Sequence, residues 1–166
     1  MCDCETTFVK SEKGFYQAFG PITPEAIVRT AAAILQESLV RGDALTNPED
    51  AARFLQMALA NEKNEHFAVL FLNNKHQVLS FERLFFGTVD GTTVHPRVVV
   101  QKALEYNAAS VILAHNHPSG HSEPSRADRE VTDLLVKALK LIDVRVLDHL
   151  IVSQSGWESL SRRGWV

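Results

Sequence analysis

Cysteine is almost missing from this chain, and the two present, Cys2 and Cys4, stand one residue apart near its start. Such a pair gives the body of the fold no disulfide framework, and both read as reduced, idle thiols. Long apolar runs are missing too: no stretch approaches the roughly 18 consecutive apolar residues of a membrane span. The opening Met1-Cys2-Asp3-Cys4-Glu5 has neither the basic nor the apolar region of a signal peptide, so the expectation is a cytoplasmic protein without a membrane. Nor is there an excess of positive charge. The 17 Lys and Arg face 20 Asp and Glu, for a formal net charge of -3, which argues against holding nucleic acid by bulk charge and leaves only a local basic face open. Repeats, low-complexity tracts and Pro/Gly-rich linkers are absent as well. What remains is 166 residues, 45% hydrophobic and 22% charged, the balance of one globular domain with a sizeable core.

Thr23-Pro24-Glu25 has the form of a helix start, and Ile27, Ala31, Ile34, Leu35 and Leu39 follow at helical spacing, with a stop expected near Gly42. Asn47-Pro48-Glu49-Asp50 opens a second helix with Ala51, Phe54, Leu55 and Ala58 as its apolar stripe, so residues 1–60 read as two packed helices behind a loose leader. From Phe67 the pattern changes. The run from Phe67 to Leu72 and the run from Val78 to Phe86, separated by Asn73-Asn74-Lys75-His76-Gln77, predict a β-hairpin. Beyond the Asp90-Gly91 turn signal, His95-Pro96 starts a helix carrying Val98, Val99, Ala103 and Leu104 and ending near Asn107. A buried strand at Ala109 to Ala114 follows, then an amphipathic helix from Ser125 to Leu141 with Val131, Leu134, Leu135, Ala138 and Leu141, then a last clear strand from Val144 to Val152. Strands alternating with helices predict an α/β fold.

The chemistry concentrates in His115-Asn116-His117-Pro118-Ser119-Gly120, directly after an apolar strand. Side chains two apart on an extended backbone share a side, so His115 and His117 present two imidazoles to one point. Pro118 and Gly120 then break the strand, and seven residues separate His117 from Ser125, which is followed by Arg126-Ala127-Asp128. Two neutral imidazoles and one carboxylate suit a single zinc ion, and three protein ligands leave the fourth tetrahedral position open for water. Each member also has a plainer explanation. A lone His-x-His is compatible with paired surface residues, and Ser125 with Asp128 fits a helix N-cap followed by an acidic N3 residue, worth about 1 kcal/mol with no metal involved. Capping and metal binding can coexist at one helix start.

The spacing His-x-His, seven residues, Ser, two residues, Asp resembles the JAMM signature of the MPN (JAB) metalloprotease domains. His-Asn-His-Pro-Ser-Gly, Glu-Pro-Ser-Arg-Ala-Asp and Val-Leu-Asp-His-Leu-Ile-Val at 146–152 further resemble the bacterial RadC family, over about Asn47 to Val166. The resemblance implies a single MPN (JAB)-like α/β domain over 46–166, a mixed sheet flanked by helices, behind a leader and N-terminal helix at 1–45. It implies zinc ligation by His115, His117 and Asp128, and a role for Ser125 in steadying the tetrahedral intermediate beside the metal. It also implies a general base that takes a proton from water and returns it to the leaving amine, and Glu65, just before an apolar strand, fits that position, with Glu62 as its nearest competitor. RadC proteins typically carry a longer N-terminal region with a helix-hairpin-helix type DNA-binding element, which residues 1–45 are too short and too poor in glycine hairpins to supply.

His149, beside Asp148, either orients a metal ligand or pairs with its neighbour at a strand end. His121 reads as a solvated loop histidine, and no spacing selects His66, His76 or His95. Arg126, Arg129, Lys137 and Lys140 share a helix and read as a solvated face. The leading expectation is a zinc metallopeptidase acting on a peptide or isopeptide bond of a protein or peptide substrate. The alternative is a RadC-like binding module of DNA repair or mobile elements, with a zinc site and no proteolysis. A nucleobase deaminase is excluded, because it needs a glutamate where His117 stands and a later Cys-x-x-Cys.

Overall fold

Pro24 supplies the preset backbone of a first helical turn, and Thr23 caps it, its Oγ1 accepting from the Ala26 N–H at 3.2 Å. The helix α1 so begun runs Pro24–Val40, and α2 runs Pro48–Leu59. These belong to a computed structural model that describes residues 8–12, 15–18, 20–40, 48–88 and 92–166. Cys2, Cys4, the stop at Gly42, the cap at Asn47 and the Asp90-Gly91 turn lie outside the described residues. Ahead of α1, the segment expected to be a loose leader contains a small antiparallel pair, β1 (Phe8–Lys10) and β2 (Tyr16–Ala18).

The main sheet has five strands in the order β4-β3-β5-β6-β7. The hairpin of β3 (His66–Leu72) and β4 (Val78–Phe86) is antiparallel, as the two apolar runs predict. β3 also pairs antiparallel with β5 (Ser110–Asn116), which in turn pairs parallel with β6 (Arg145–Val152). A parallel pair needs a crossover, and the helix α4 (Arg126–Lys140) provides it. The last strand, β7 (Trp157–Ser159), was not expected; at three residues it is too short to show an alternating pattern, and its pairing with β6 defines it. β5 is also longer than its apolar run, because its hydrogen-bonded ladder continues through His115 and Asn116.

Alternation along the strands sorts side chains to two faces. Ala68, Leu70, Leu72, Ile112, Ala114, Leu150 and Val152 pack toward Ala51, Phe54, Leu55, Ala58 and Leu59 of α2. Phe67, Val69, Phe71, Val111 and Leu113 pack on the opposite face with Val99 and Ala103 of α3 (Pro96–Glu105) and Leu135 and Leu139 of α4. The result is a mixed sheet between helical layers, an α/β architecture. Among the described residues, no helix is long and apolar enough to cross a membrane.

On three helices individual positions of the expected stripe lie outside the core. On α4, Leu134 and Leu141 are exposed, and Thr132 is buried with Leu135 and Leu139. The expected stripe did not include Thr132, yet it is buried beside Leu135 and Leu139. Leu104 on α3 and Ile27 on α1 are likewise exposed. Because Leu70 is fully buried in the central strands, Leu70→Ala should cost about 2–5 kcal/mol in urea unfolding. Leu141→Ala should cost no more than about 0.5 kcal/mol. Equal losses would contradict these faces.

Candidate metal centre

His115 lies opposite Phe67 in the β3–β5 register, on the face that α4 covers. The ladder extends one residue past β5, since the His117 N–H donates to the Val152 carbonyl at 2.9 Å, so His117 stays extended and on the same side as His115. Gly120 then turns the chain at φ 85°, its N–H bonding back to the His117 carbonyl at 3.1 Å. The loop that follows ends at Ser125, the N-cap of α4, and Asp128 sits at N3 in a capping box. The Asp128 Oδ2 accepts from the Ser125 N–H at 2.7 Å and from its hydroxyl at 2.6 Å, while the Asp128 N–H donates to Ser125 Oγ at 3.1 Å.

Strand end and helix start meet at one point. His115 Nε2 lies 3.0 Å from His117 Nε2 and 3.0 Å from Asp128 Oδ1, and His117 Nε2 lies 3.7 Å from Asp128 Oδ2. Among the described residues these three form a cluster able to hold a metal ion, each offering one ligand atom within 4.8 Å of the others.

The surrounding hydrogen bonds decide where the imidazole protons reside. Thr132 Oγ1 is 2.5 Å from the Asp128 carbonyl and 2.6 Å from His149 Nδ1. Its single proton must go to the carbonyl, which only accepts, so it accepts in turn from His149 Nδ1–H. His149 is wholly buried, and burial first, then the neighbouring His115, push its pKa well below the ordinary histidine value, so its ring is neutral and its Nε2 is an acceptor. At 2.8 Å that Nε2 accepts a hydrogen bond from His115 Nδ1–H. His117 Nδ1 donates to the His121 carbonyl at 2.8 Å. Each ring thus has its Nδ1 proton committed to a bond, and in the neutral form both turn Nε2 lone pairs toward each other and toward a carboxylate. Such an arrangement is repulsive unless a cation stands among the three, and the donor set fits zinc.

A proton on Nε2 is the alternative to a cation at this point, and the electrostatics describe that protonated state. Burial pushes the Asp128 carboxyl up, but bonds from His115, His117 and Ser125 outweigh it and hold the group well below the usual carboxylate range. The bond to Asp128 raises the His117 pKa against its partial burial, with smaller help from the His121 carbonyl and the charge of Glu65.

The cluster opens into a pocket of about 320 Å³ lined by Glu65, Thr92, Val94, Ser119, Ser125 and Val131 among others. Glu65 lies two residues beyond Phe67–His115, the last pair of the β3–β5 ladder, near enough for its charge to act on His117. Glu62 turns elsewhere: its carboxylate pairs with Arg83 at 2.7 Å, beside a larger pocket of about 530 Å³ between α1, α2 and β4 that contains no ligand cluster. Asp148 does not pair with the His149 ring; it accepts from the His149 backbone N–H, the Ser159 hydroxyl and the Ser161 N–H. His121 is exposed and takes part only through its carbonyl. Arg126 pairs with Glu130, and Arg129 stacks on Trp165. Sequence reasoning missed Thr132; its place one helical turn after Asp128 was the available signal.

A proton on His117 Nε2 competes with a metal ion for one position, and its raised pKa sets the pH at which competition begins. Apparent zinc affinity should therefore fall as pH is lowered, beginning above the ordinary histidine value of about 6.5 and approaching roughly tenfold per pH unit. Chelator competition between pH 8 and 5.5 checks this; a flat profile would contradict the proton placement.

The profile of the RadC-like JAB domain matches residues 45–165. A UPF0758 protein of Thioalkalivibrio sulfidiphilus is 55% identical over 131 residues, covering 79% of this chain and 59% of that protein. A UPF0758 protein of Tolumonas auensis is 49% identical over 142 residues, 86% of this chain and 63% of its own length, and one of Vibrio campbellii is 45% identical over 164 residues, 96% and 73%. The chain thus spans about three fifths of the length of the first two relatives. A profile match over residues 45–165, which include the histidine pair and the capped aspartate, together with these identities, places the chain in the RadC family, with its JAB-type domain.

Proposed function

We propose that the chain is a RadC-type module in which His115, His117 and Asp128 hold one zinc ion, and that this ion and its pocket receive a protein or peptide segment. The observation that carries the reading is the convergence of two bare imidazole nitrogens and one carboxylate on an open pocket. Such a site binds Lewis-basic groups whether or not turnover follows. The described residues lining it include no lysine or arginine and two carboxylates, Glu65 and Asp128, so a peptide carbonyl suits it and a phosphate backbone does not. This favours the binding module of the RadC resemblance, with a protein partner at this pocket.

A second reading, hydrolysis of a peptide or isopeptide bond, is favoured by one specific observation: Glu65 lines the same pocket as the three ligands. Zinc, when bound, supplies a Lewis acid and a lowered pKa for water at the fourth position. On this reading Glu65 takes the proton from water and delivers it to the leaving amine, and Ser125 presents a hydroxyl steadied by Asp128. His149 and Thr132 hold His115 in the tautomer that ligation needs.

Zinc measured after purification without added metal should be near one ion per chain and should fall sharply in His115→Ala and Asp128→Ala, with unchanged content in both defeating the assignment. Glu65→Gln separates the two readings. It should leave zinc in place; if the domain is a hydrolase, cleavage of a peptide or isopeptide substrate should drop by roughly 10² to 10⁴. Cleavage equal to wild type would remove Glu65 as the base, and a wild type that binds such segments without cleaving them would leave the binding module as the function.

A further inference from the structure

Asn116 stands between the two histidines in sequence and points the other way. A strand that sends residues 115 and 117 to the α4 face must send 116 to the α2 face, where the connection from α2 to β3 wraps the end of the sheet. There Asn116 is completely buried. Its Oδ1 accepts from the His66 N–H at 2.8 Å, and its Nδ2 donates to the Asn64 carbonyl at 3.0 Å and the Glu62 carbonyl at 3.4 Å. The shorter two bonds fall on the residues immediately before and after Glu65.

The peptide groups of Glu65 itself are held from the other side. Its N–H donates to the Thr88 carbonyl at 3.0 Å, and its carbonyl accepts from the Gly87 N–H at 2.8 Å and the Thr92 hydroxyl at 3.1 Å. Glu65 is thus fixed over three consecutive residues by partners on two sides, while its side chain lines the metal pocket. A primary amide satisfying buried carbonyls is an adequate structural account of Asn116 taken alone. That account does not explain why the clamp brackets the one glutamate that faces the ligand pair from the neighbouring strand.

We infer that Asn116 is a positioning residue: by clamping Asn64 and His66 it keeps the Glu65 carboxylate aimed at the pocket formed by His115, His117 and Asp128. A single strand then supplies two ligands from one face and orients the acid-base group from the other. The inference rests on the reading of Glu65 as the group that exchanges protons in that pocket.

The full-length chain loaded with cobalt(II) in place of zinc provides the test, read as the pH midpoint of its visible absorption. Glu65→Gln removes a negative neighbour and should lower the midpoint. Asn116→Ala should lower it too, by about 0.5 unit or more, and the double substitution should match Glu65→Gln alone. A normal midpoint in Asn116→Ala alongside a shifted one in Glu65→Gln overturns the positioning role and leaves Glu65 intact as the acid-base group. A shift in Asn116→Ala that persists in the Glu65→Gln background means distorted ligands, and also overturns it. An unmoved midpoint in Glu65→Gln defeats the reading of Glu65 first, and the inference with it. If Asn116→Ala does not fold, Asn116→Ser carries the same comparison, because its hydroxyl and an admitted water satisfy the same peptide groups without spanning them.

Discussion

The antiparallel pairing of β3 with β5 is the constraint on which the site depends. Register in a sheet is a choice with a period of two, and a slip of one residue would move every side chain of β5 to the other face. With Phe67 fixed opposite His115, the ring of Phe67 stacks 6.2 Å from that of His115 and meets His149 edge-on at 5.5 Å. Glu65 lies two residues beyond that pair. The apolar residues oppose such a slip: Ala68, Leu70 and Leu72 belong under α2, and Phe67, Val69 and Phe71 under α3 and α4, and a shift of one residue would exchange the two sets.

On that frame the polar groups form a directed chain. It begins at a helical carbonyl of α4, passes through Thr132 and His149, and ends at the bare nitrogen of His115. Each link has one permitted direction because a carbonyl cannot donate and a buried neutral histidine has one proton to give. Leaving any member unpaired would cost on the order of 1–3 kcal/mol. The network therefore lowers the energy of the fold while it prepares a ligand.

Most strands and helices were legible because their apolar residues repeat with a clean period, as in Phe67 to Leu72 and in Ala51, Phe54, Leu55 and Ala58. The cluster of His115, His117 and Asp128 was legible because it is local at both ends: a two-residue step on a strand, and a three-residue step from cap to helix. Pattern reading failed where a polar residue is buried by a partner distant in sequence. Thr132 carries no apolar signal on α4, and nothing nearby reveals that His149 waits for it 17 residues later. Asp148 beside His149 suggested a self-contained pair, but successive residues of a strand point apart, and the two side chains serve different layers. The face of Asn116 was readable from its place between two histidines; its three backbone partners, at 50 to 54 residues' separation, were not.

The capping box gives the two oxygens of Asp128 separate employers. Oδ2 belongs to the helix start through Ser125, and Oδ1 faces His115. One carboxylate does both, and an asparagine in its place would lose the charge. The interval from Ser125 to Asp128 is therefore not a parameter that drift can adjust. It is the distance from N-cap to N3, set by the pitch of the α-helix, whereas the seven residues between His117 and Ser125 form a loop that helix geometry leaves unconstrained. Within this signature, insertions have somewhere to go on one side of the serine and nowhere on the other.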